Sequence, residues 1–156
     1  MKSLHDIAEI RLGHPFRGAV PVDPDGRDRI LQSKDLTEDS WDPPPSLVRT
    51  TLEKLDDRVR LAPGDVVLQS RGSRFPALAA HPDLIGSIVA APLYLIRPKP
   101  GVVEPSFMAL MLNDAAAQTE LREAATGSYI PQVPVDATRP PSIPVPPLRA
   151  QHAIVA

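Results

Sequence analysis

The sequence predicts an α+β domain, a mixed twisted β-sheet with a short N-terminal helix and two packed helices near Pro105 to Ala125. Short segments that are β-branched or alternately apolar recur between Gly and Pro breaks over the first hundred residues, which is a strand signal. A stretch from Pro105 onward instead carries Phe107, Leu110, Met111 and Leu121 as a buried helical stripe. The chain has 156 residues, 42% hydrophobic and 23% charged. That is one-domain length at an ordinary globular composition, so its 20 prolines mark rigid loops and terminated strands rather than disorder.

Taken in order, Ser3 with Asp6 has the form of a capping box. Leu4, Ile7, Ala8 and Leu12 share a helical face, so the spacing predicts an amphipathic helix over 4–11, ended by Gly13. The run Pro21-Val22-Asp23-Pro24-Asp25-Gly26 is a turn joining two strands, near 17–20 and 29–33. Trp41-Asp42-Pro43-Pro44-Pro45 is a stiff loop. Further strands are expected at 59–61, 65–70, 75–80 and 87–96, then helices over 105–112 and about 114–125, the first opened by Pro105.

The last thirty residues are the most informative. Ala124-Ala125-Thr126-Gly127-Ser128-Tyr129-Ile130-Pro131 reads as a helix stop, with Gly127 suited to the left-handed position past a helix end. Ile143-Pro144-Val145 is a proline-stiffened strand, and Pro146-Pro147 halts it while leaving 148–156 free to open a helix. The order A-x-x-G-S-x-x-P followed by I-P-V-P-P-L-x-x-Q-x-x-I-V resembles the end of a target recognition domain in the specificity subunit of type I restriction-modification systems. The resemblance extends over nearly the whole chain through residues 7–13, the strand 30–33 leading into Lys34-Asp35-Leu36, and Pro63-Gly64-Asp65-Val66-Val67-Leu68. It implies one recognition domain over 1–147 and the start of a C-terminal spacer helix over 148–156. Family members typically carry two such domains separated by long helices, so it also implies half of a specificity subunit, with the rest of the spacer absent or supplied otherwise.

Composition sets bounds on function. Cysteine is absent, which excludes disulfides and thiolate metal sites. The N-terminus lacks the apolar core of a signal peptide, and the longest apolar run, 88–96, is interrupted by Pro92 and far shorter than the roughly 20 residues of a membrane helix. These features point to a cytoplasmic protein without membrane contact. The net charge of −2 argues against strong independent nucleic-acid binding. The charge is nevertheless uneven: residues 1–65 hold 13 acidic and 10 basic side chains, a net −3, and residues 66–156 hold 6 and 7, a net +1. Between Asp65 and Glu104 the sole acid is Asp83, against Arg71, Arg74, Arg97 and Lys99, which leaves room for a basic face there or for ordinary surface variation.

Signatures of catalysis are missing. Asp42-Pro43-Pro44-Pro45 lacks the aromatic that an amino-methyltransferase loop needs, and no Gly-x-Gly occurs. Asp28, Gln32 and Lys34 superficially match a nuclease strand but lack a second carboxylate at the right spacing. His5, His14, His81 and His152 are dispersed. No cofactor or metal is expected.

What remains are side chains suited to reading DNA: Arg to guanine edges, Gln to adenine, Ser and Tyr to phosphates. Gln69-Ser70-Arg71-Gly72-Ser73-Arg74 concentrates them after a strand, at a place that is otherwise an exposed hairpin turn. Ser128 and Tyr129 form a second candidate, with a helix cap and a core tyrosine as the plain alternative, and Gln32, Ser33 and Lys34 a third and weaker one. The family resemblance implies recognition of one part of a split double-stranded DNA target with no catalysis of its own. The implied partners are a methyltransferase (modification) subunit, a restriction subunit that joins in some assemblies, and a second specificity half or a weak homodimer. The alternative is an interaction module of the same fold that has lost DNA recognition.

Overall fold

A computed structural model describes residues 1–38, 40–126, 133 and 141–156. Its elements, in chain order, are β1 (Lys2–Ser3), α1 (Leu4–Ile7), β2 (Ala8–Leu12), β3 (Asp28–Leu31), β4 (Val48–Thr50), β5 (Val66–Gln69), β6 (Ala77–Ala79), β7 (Ile88–Val89), β8 (Leu93–Pro98), α2 (Pro105–Asn113), α3 (Ala115–Ala124), β9 (Ser142–Ile143) and α4 (Leu148–Val155). Three-residue 3₁₀ helices lie at Ser33–Asp35, Asp57–Val59 and Pro82–Leu84.

The α+β class holds, but the strands divide between two principal sheets. One is antiparallel in the order β2-β8-β5-β6, the other is β4-β3-β7 with β3 and β7 parallel, and a small pair, β1-β9, ties the two ends of the chain together. Side-chain alternation explains how these layers stack. On β5, Val66 and Leu68 point toward the helices, where they meet Phe107, Met108, Leu112 and Leu121, while Val67 points the other way toward Leu31, Leu84 and Val89. On β8, Tyr94 and Ile96 follow the first direction and Leu93 and Leu95 the second. The four-stranded sheet is thus apolar on both faces, with helices on one side and the three-stranded sheet on the other. The far face of that second sheet is covered by loop residues Phe16, Val20, Leu52 and Leu55 around Ile30, Val59 and Ile88.

Several elements depart from the sequence pattern. The expected helix over 4–11 stops at Ile7, and residues 8–12 become β2, paired antiparallel from Ala8↔Pro98 to Leu12↔Tyr94. Ala8, Ile10 and Leu12 alternate as well as they fit a helix, and the unpaired flank of β8 decides the matter. Ser3 makes no side-chain cap bond. Gly13 follows a strand, and its role is close approach: a Cβ there would lie 2.6 Å from Val89 O and Ala90 C. The strand near 17–20 is absent, and β3 pairs instead with β4, which the sequence reading missed. The strand at 59–61 is a 3₁₀ turn whose N-cap, Asp56, accepts from the Arg58 N–H, followed by a single bridge from Arg60 to Ile88. The strand over 87–96 splits into β7 and β8 around Pro92, which has no N–H to donate to a ladder. In the helical layer Leu110 is exposed, and Met108 and Leu112 take its place in the core.

The helices form where expected because their starts are well specified. Pro105 occupies the first turn of α2 and the Glu104 carboxylate accepts from Phe107 N–H at 2.8 Å; Asp114 performs the same service for α3 through Ala116 N–H at 3.4 Å. At the C-terminus, the wholly buried Gln151 of α4 accepts from Glu104 N–H and donates to the carbonyls of Val102 and Pro146, fixing α4 against the start of α2.

A buried charge sits just before β5. Asp65 is fully buried and accepts from Arg97 Nε at 2.8 Å and a terminal guanidinium nitrogen at 2.9 Å, and from Ala62 N–H at 2.8 Å. The carboxylate in turn holds the Arg97 guanidinium above its already high pKa. Removing Arg97 strands a buried anion, so Arg97→Ala is expected to lower stability by about 2–3 kcal/mol, less than for a fully enclosed pair because Arg97 is about 40% exposed. Gly13→Ala, which drives a methyl into backbone, should cost about 2 kcal/mol or more. Urea unfolding of both variants checks this, with unchanged midpoints as the contrary result.

Candidate nucleic-acid interface

The connection from β5 to β6 carries the first group of candidate residues, and its base is firmly held. Gln69 N–H donates to Pro76 O at 3.0 Å, Ser70 O accepts from Val133 N–H at 2.8 Å, and the Ser70 hydroxyl donates to Pro92 O. Phe75 is completely buried among the helices. Its N–H and C=O are both taken by the side-chain amide of Gln118 on α3, at 3.1 and 2.8 Å, and the same amide donates to Leu112 O at 2.8 Å. Two residues on, the Asn113 amide repeats the arrangement on Ala77, accepting from its N–H and donating to its C=O, each at 2.8 Å. Trp41 Nε1 then donates to Ala79 O at 2.7 Å. β6 is the last strand of its sheet, and side chains from α2, α3 and the proline-rich loop occupy its outer edge.

Above this base the tip is open. Arg71, Ser73 and Arg74 are exposed, and Gly72 has φ of +116°, a backbone conformation that side chains with a Cβ rarely adopt. The tip faces Leu36, Thr37 and Glu38 across an open cleft of about 280 Å³ that is also lined by Gln69 and Pro76. The opposite wall descends from β3 through the 3₁₀ turn at Ser33–Asp35. Gln32 and Asp35 close this turn, with Gln32 N–H donating to the Asp35 carboxylate at 2.8 Å and Asp35 N–H donating to Gln32 O at 2.9 Å. Partial burial raises the Asp35 pKa, against the opposing pull of the Gln32 N–H and the Lys34 charge. The Ser33 hydroxyl donates to Gln69 Oε1 at 3.1 Å, so the first and third candidate patches meet in space.

The individual candidates fare differently. Gln69, Arg71, Ser73 and Arg74 line the cleft. Ser70 has no solvent exposure and belongs to the scaffold, because its hydroxyl is consumed by the end of the neighbouring strand. Gln32 does not line the cleft and is held through its backbone N–H on the Asp35 carboxylate. Lys34 is exposed but lines an adjacent hollow with Asp35, Trp41 and Asp42, apart from the arginines. Ser128 and Tyr129 lie outside the described residues. The expected basic face divides, since Arg97 is committed to Asp65 and Lys99 donates to Asp6 O, at the far end of β5 from Gln69. Thr37 and Glu38 were missed. Glu38 lines both this cleft and the adjacent hollow, and only the turn after β3 brings it beside the β5–β6 tip.

No family model matches the sequence and no curated protein matches it. Solved structures do. The S subunit of a type I restriction-modification system from M. genitalium matches with a TM-score of 0.60 at 11% identity, over 99% of this chain and 36% of that one. The HsdS subunit from Thermoanaerobacter tengcongensis matches at 0.62 and 20% identity, over 99% and 34%. The fold is that of type I S subunits. A third match, from a structural study of complex assembly and conformational transition of the type I restriction-modification system, has a TM-score of 0.67 at 20% identity over 99% and 35%. The chain therefore spans about a third of the length of these S-subunit-fold chains. Among the described residues no group of His, Asp and Glu is placed to hold a metal ion, and no helix is long and apolar enough to cross a membrane.

The amide clamp gives a direct test of how this S-subunit-fold loop is held. Gln118→Leu leaves the buried Phe75 N–H and C=O without partners and should cost about 2–3 kcal/mol, while Asn113→Ala, on the less enclosed side, should cost about 1 kcal/mol. Urea titrations report the values, and a Gln118→Leu variant as stable as the parent would show that the clamp is dispensable.

Proposed function

We propose that this chain recognises one part of a split double-stranded DNA target, as a specificity half of a type I restriction-modification assembly. The observation that carries the reading is the cleft at the end of β5. A donor-rich tip with Arg71, Ser73 and Arg74 stands on a base locked to two layers of the fold, beside Gln69, in a chain with the fold of S subunits. Rigid support with exposed donors is what base and phosphate contacts require, because ordering a floppy loop on binding would consume affinity.

The assigned role is recognition without catalysis. Base flipping and methyl transfer belong to a methyltransferase subunit, and cleavage to a restriction subunit where one joins, all in the cytoplasm. A split target needs two readers, so a second specificity half or a weak homodimer completes the unit. α4, which begins immediately after Pro147 and exposes Ile154, is the element we assign to that assembly.

The cleft offers few cations in a chain of net charge −2, so duplex binding by the isolated protein should be weak and salt-sensitive. Two or three phosphate contacts correspond to a loss of roughly 10- to 40-fold between about 50 and 200 mM salt. Fluorescence anisotropy at the two salt concentrations measures it. Salt-independent binding, or none at low salt, would remove the DNA reading, and failure to co-elute with a type I methyltransferase subunit from the same organism would remove the proposed partner.

A further inference from the structure

We infer that the outer edge of β2 pairs with the same edge of a second copy of this chain, in an antiparallel register centred on Ile10 that sets Glu9 of each copy against Arg11 of the other. The inference goes beyond the reading above, which assigns only α4 to assembly, and it stands whether or not the cleft meets DNA.

The four-stranded sheet ends on β6 at one side and on β2 at the other. Side chains occupy the outer edge of β6, whereas that of β2 is open. On the inner side of β2, Ile7 O accepts from Lys99 N–H and Gly13 N–H donates to Leu93 O, each at 2.8 Å. With the register running from Ala8↔Pro98 to Leu12↔Tyr94, the alternation of an antiparallel ladder turns the backbone groups of Glu9 and Arg11 toward β8 and those of Ala8, Ile10 and Leu12 outward. Among the described residues no hydrogen bond takes the N–H or C=O of Ile10 or Leu12. Such an edge is a template for another strand. Glu9 and Leu12, near its two ends, are exposed.

The sequence of this edge is complementary to itself. Side chains two apart on a strand share a face, so Glu9 and Arg11 present opposite charges on one side of β2. Among the described residues no ion pair engages either of them, and Arg97, the cross-strand neighbour of Glu9, is committed to Asp65. About a twofold axis at Ile10, Ala8 faces Leu12, Glu9 faces Arg11 and Ile10 faces its own copy. The outward backbone groups then match, because Ile10 exchanges both of its bonds with Ile10 of the other copy and Leu12 N–H donates to Ala8 O on either side of the axis. Moving the axis to Glu9 or to Arg11 sets carboxylate against carboxylate or guanidinium against guanidinium, which destabilises a cross-strand pair. Hydrogen bonds and charges therefore select one register, and the contact closes on itself. It makes a continuous sheet of order β6-β5-β8-β2-β2-β8-β5-β6. A five-residue strand is a small contact, so the dimer is weak and depends on concentration.

The experiment is sedimentation equilibrium of the full chain from about 10 µM to about 1 mM, within which the wild type should pass from monomer to dimer. Glu9→Arg turns both charge pairs of the dimer into Arg against Arg, and Arg11→Glu turns both into Glu against Glu. Each variant alone should dimerise about 4-fold more weakly or worse. An equimolar mixture of the two restores both opposite-charge pairs, so it should return to the wild-type level. On the wild type itself, the Ile10 and Leu12 amides should exchange with solvent more slowly as concentration rises, a readout that needs no variant. A wild type that stays monomeric throughout overturns the inference, as does a mixture no better than its components or a dimer that leaves exchange at Ile10 and Leu12 unchanged. A dimer indifferent to both charges but lost on Ile154→Glu also overturns it and leaves the interface with α4.

Discussion

The outer edge of β6 is the constraint on which the candidate interface depends. A terminal strand carries a row of unpaired N–H and C=O groups, and here Gln118 and Asn113 each supply a donor and an acceptor to successive outward-facing residues, with Trp41 adding a fifth bond. The amides act as a surrogate neighbouring strand. They also join the helical layer to the sheet at the point where the β5–β6 connection leaves it, so the position of the tip follows from the position of α2 and α3.

The remaining layers are organised by β5 and β8, whose side chains alternate between the helical core and the second sheet. Because both faces of these strands are buried, each tolerates few polar residues, and the polar groups it has are matched: Asp65 with Arg97, Ser70 with Pro92, Tyr94 with Val133. These pairs mark the ends of the strands, where the apolar sandwich gives way to loops. At one end lies a charge pair near the chain's N-terminal segment, at the other the cleft.

Much of this was legible in sequence where local signals agree. α2 and α3 combine a helical stripe with Pro105 and Asp114 at their starts, and β5 and β6 are bounded by Gly64 and the 70–76 connection. Residues 8–12 were misread because Ala8, Ile10 and Leu12 satisfy both periods, and only the distant β8 selects the extended form. β4 escaped notice since three residues, Val48-Arg49-Thr50, carry almost no pattern and exist as a strand through β3 alone. At the cleft, the clustering of Gln69, Arg71 and Arg74 was visible, but the burial of Ser70 beside Pro92, the contact of Ser33 with Gln69 and the place of Glu38 in the lining are all products of tertiary approach across more than twenty residues of chain.

The way the tip is anchored has an evolutionary consequence. Its base is secured through main-chain groups of Gln69, Ser70, Phe75 and Pro76, together with the buried Phe75 ring, whereas Ser73, Arg74, Thr37 and Glu38 stay at the surface. Substitutions at the exposed positions should therefore cost folding little, since the stability of the fold and the outward chemistry of the cleft reside in different residues. A frame of this kind lets the outward chemistry of the tip change by single substitutions that leave the fold intact at every step.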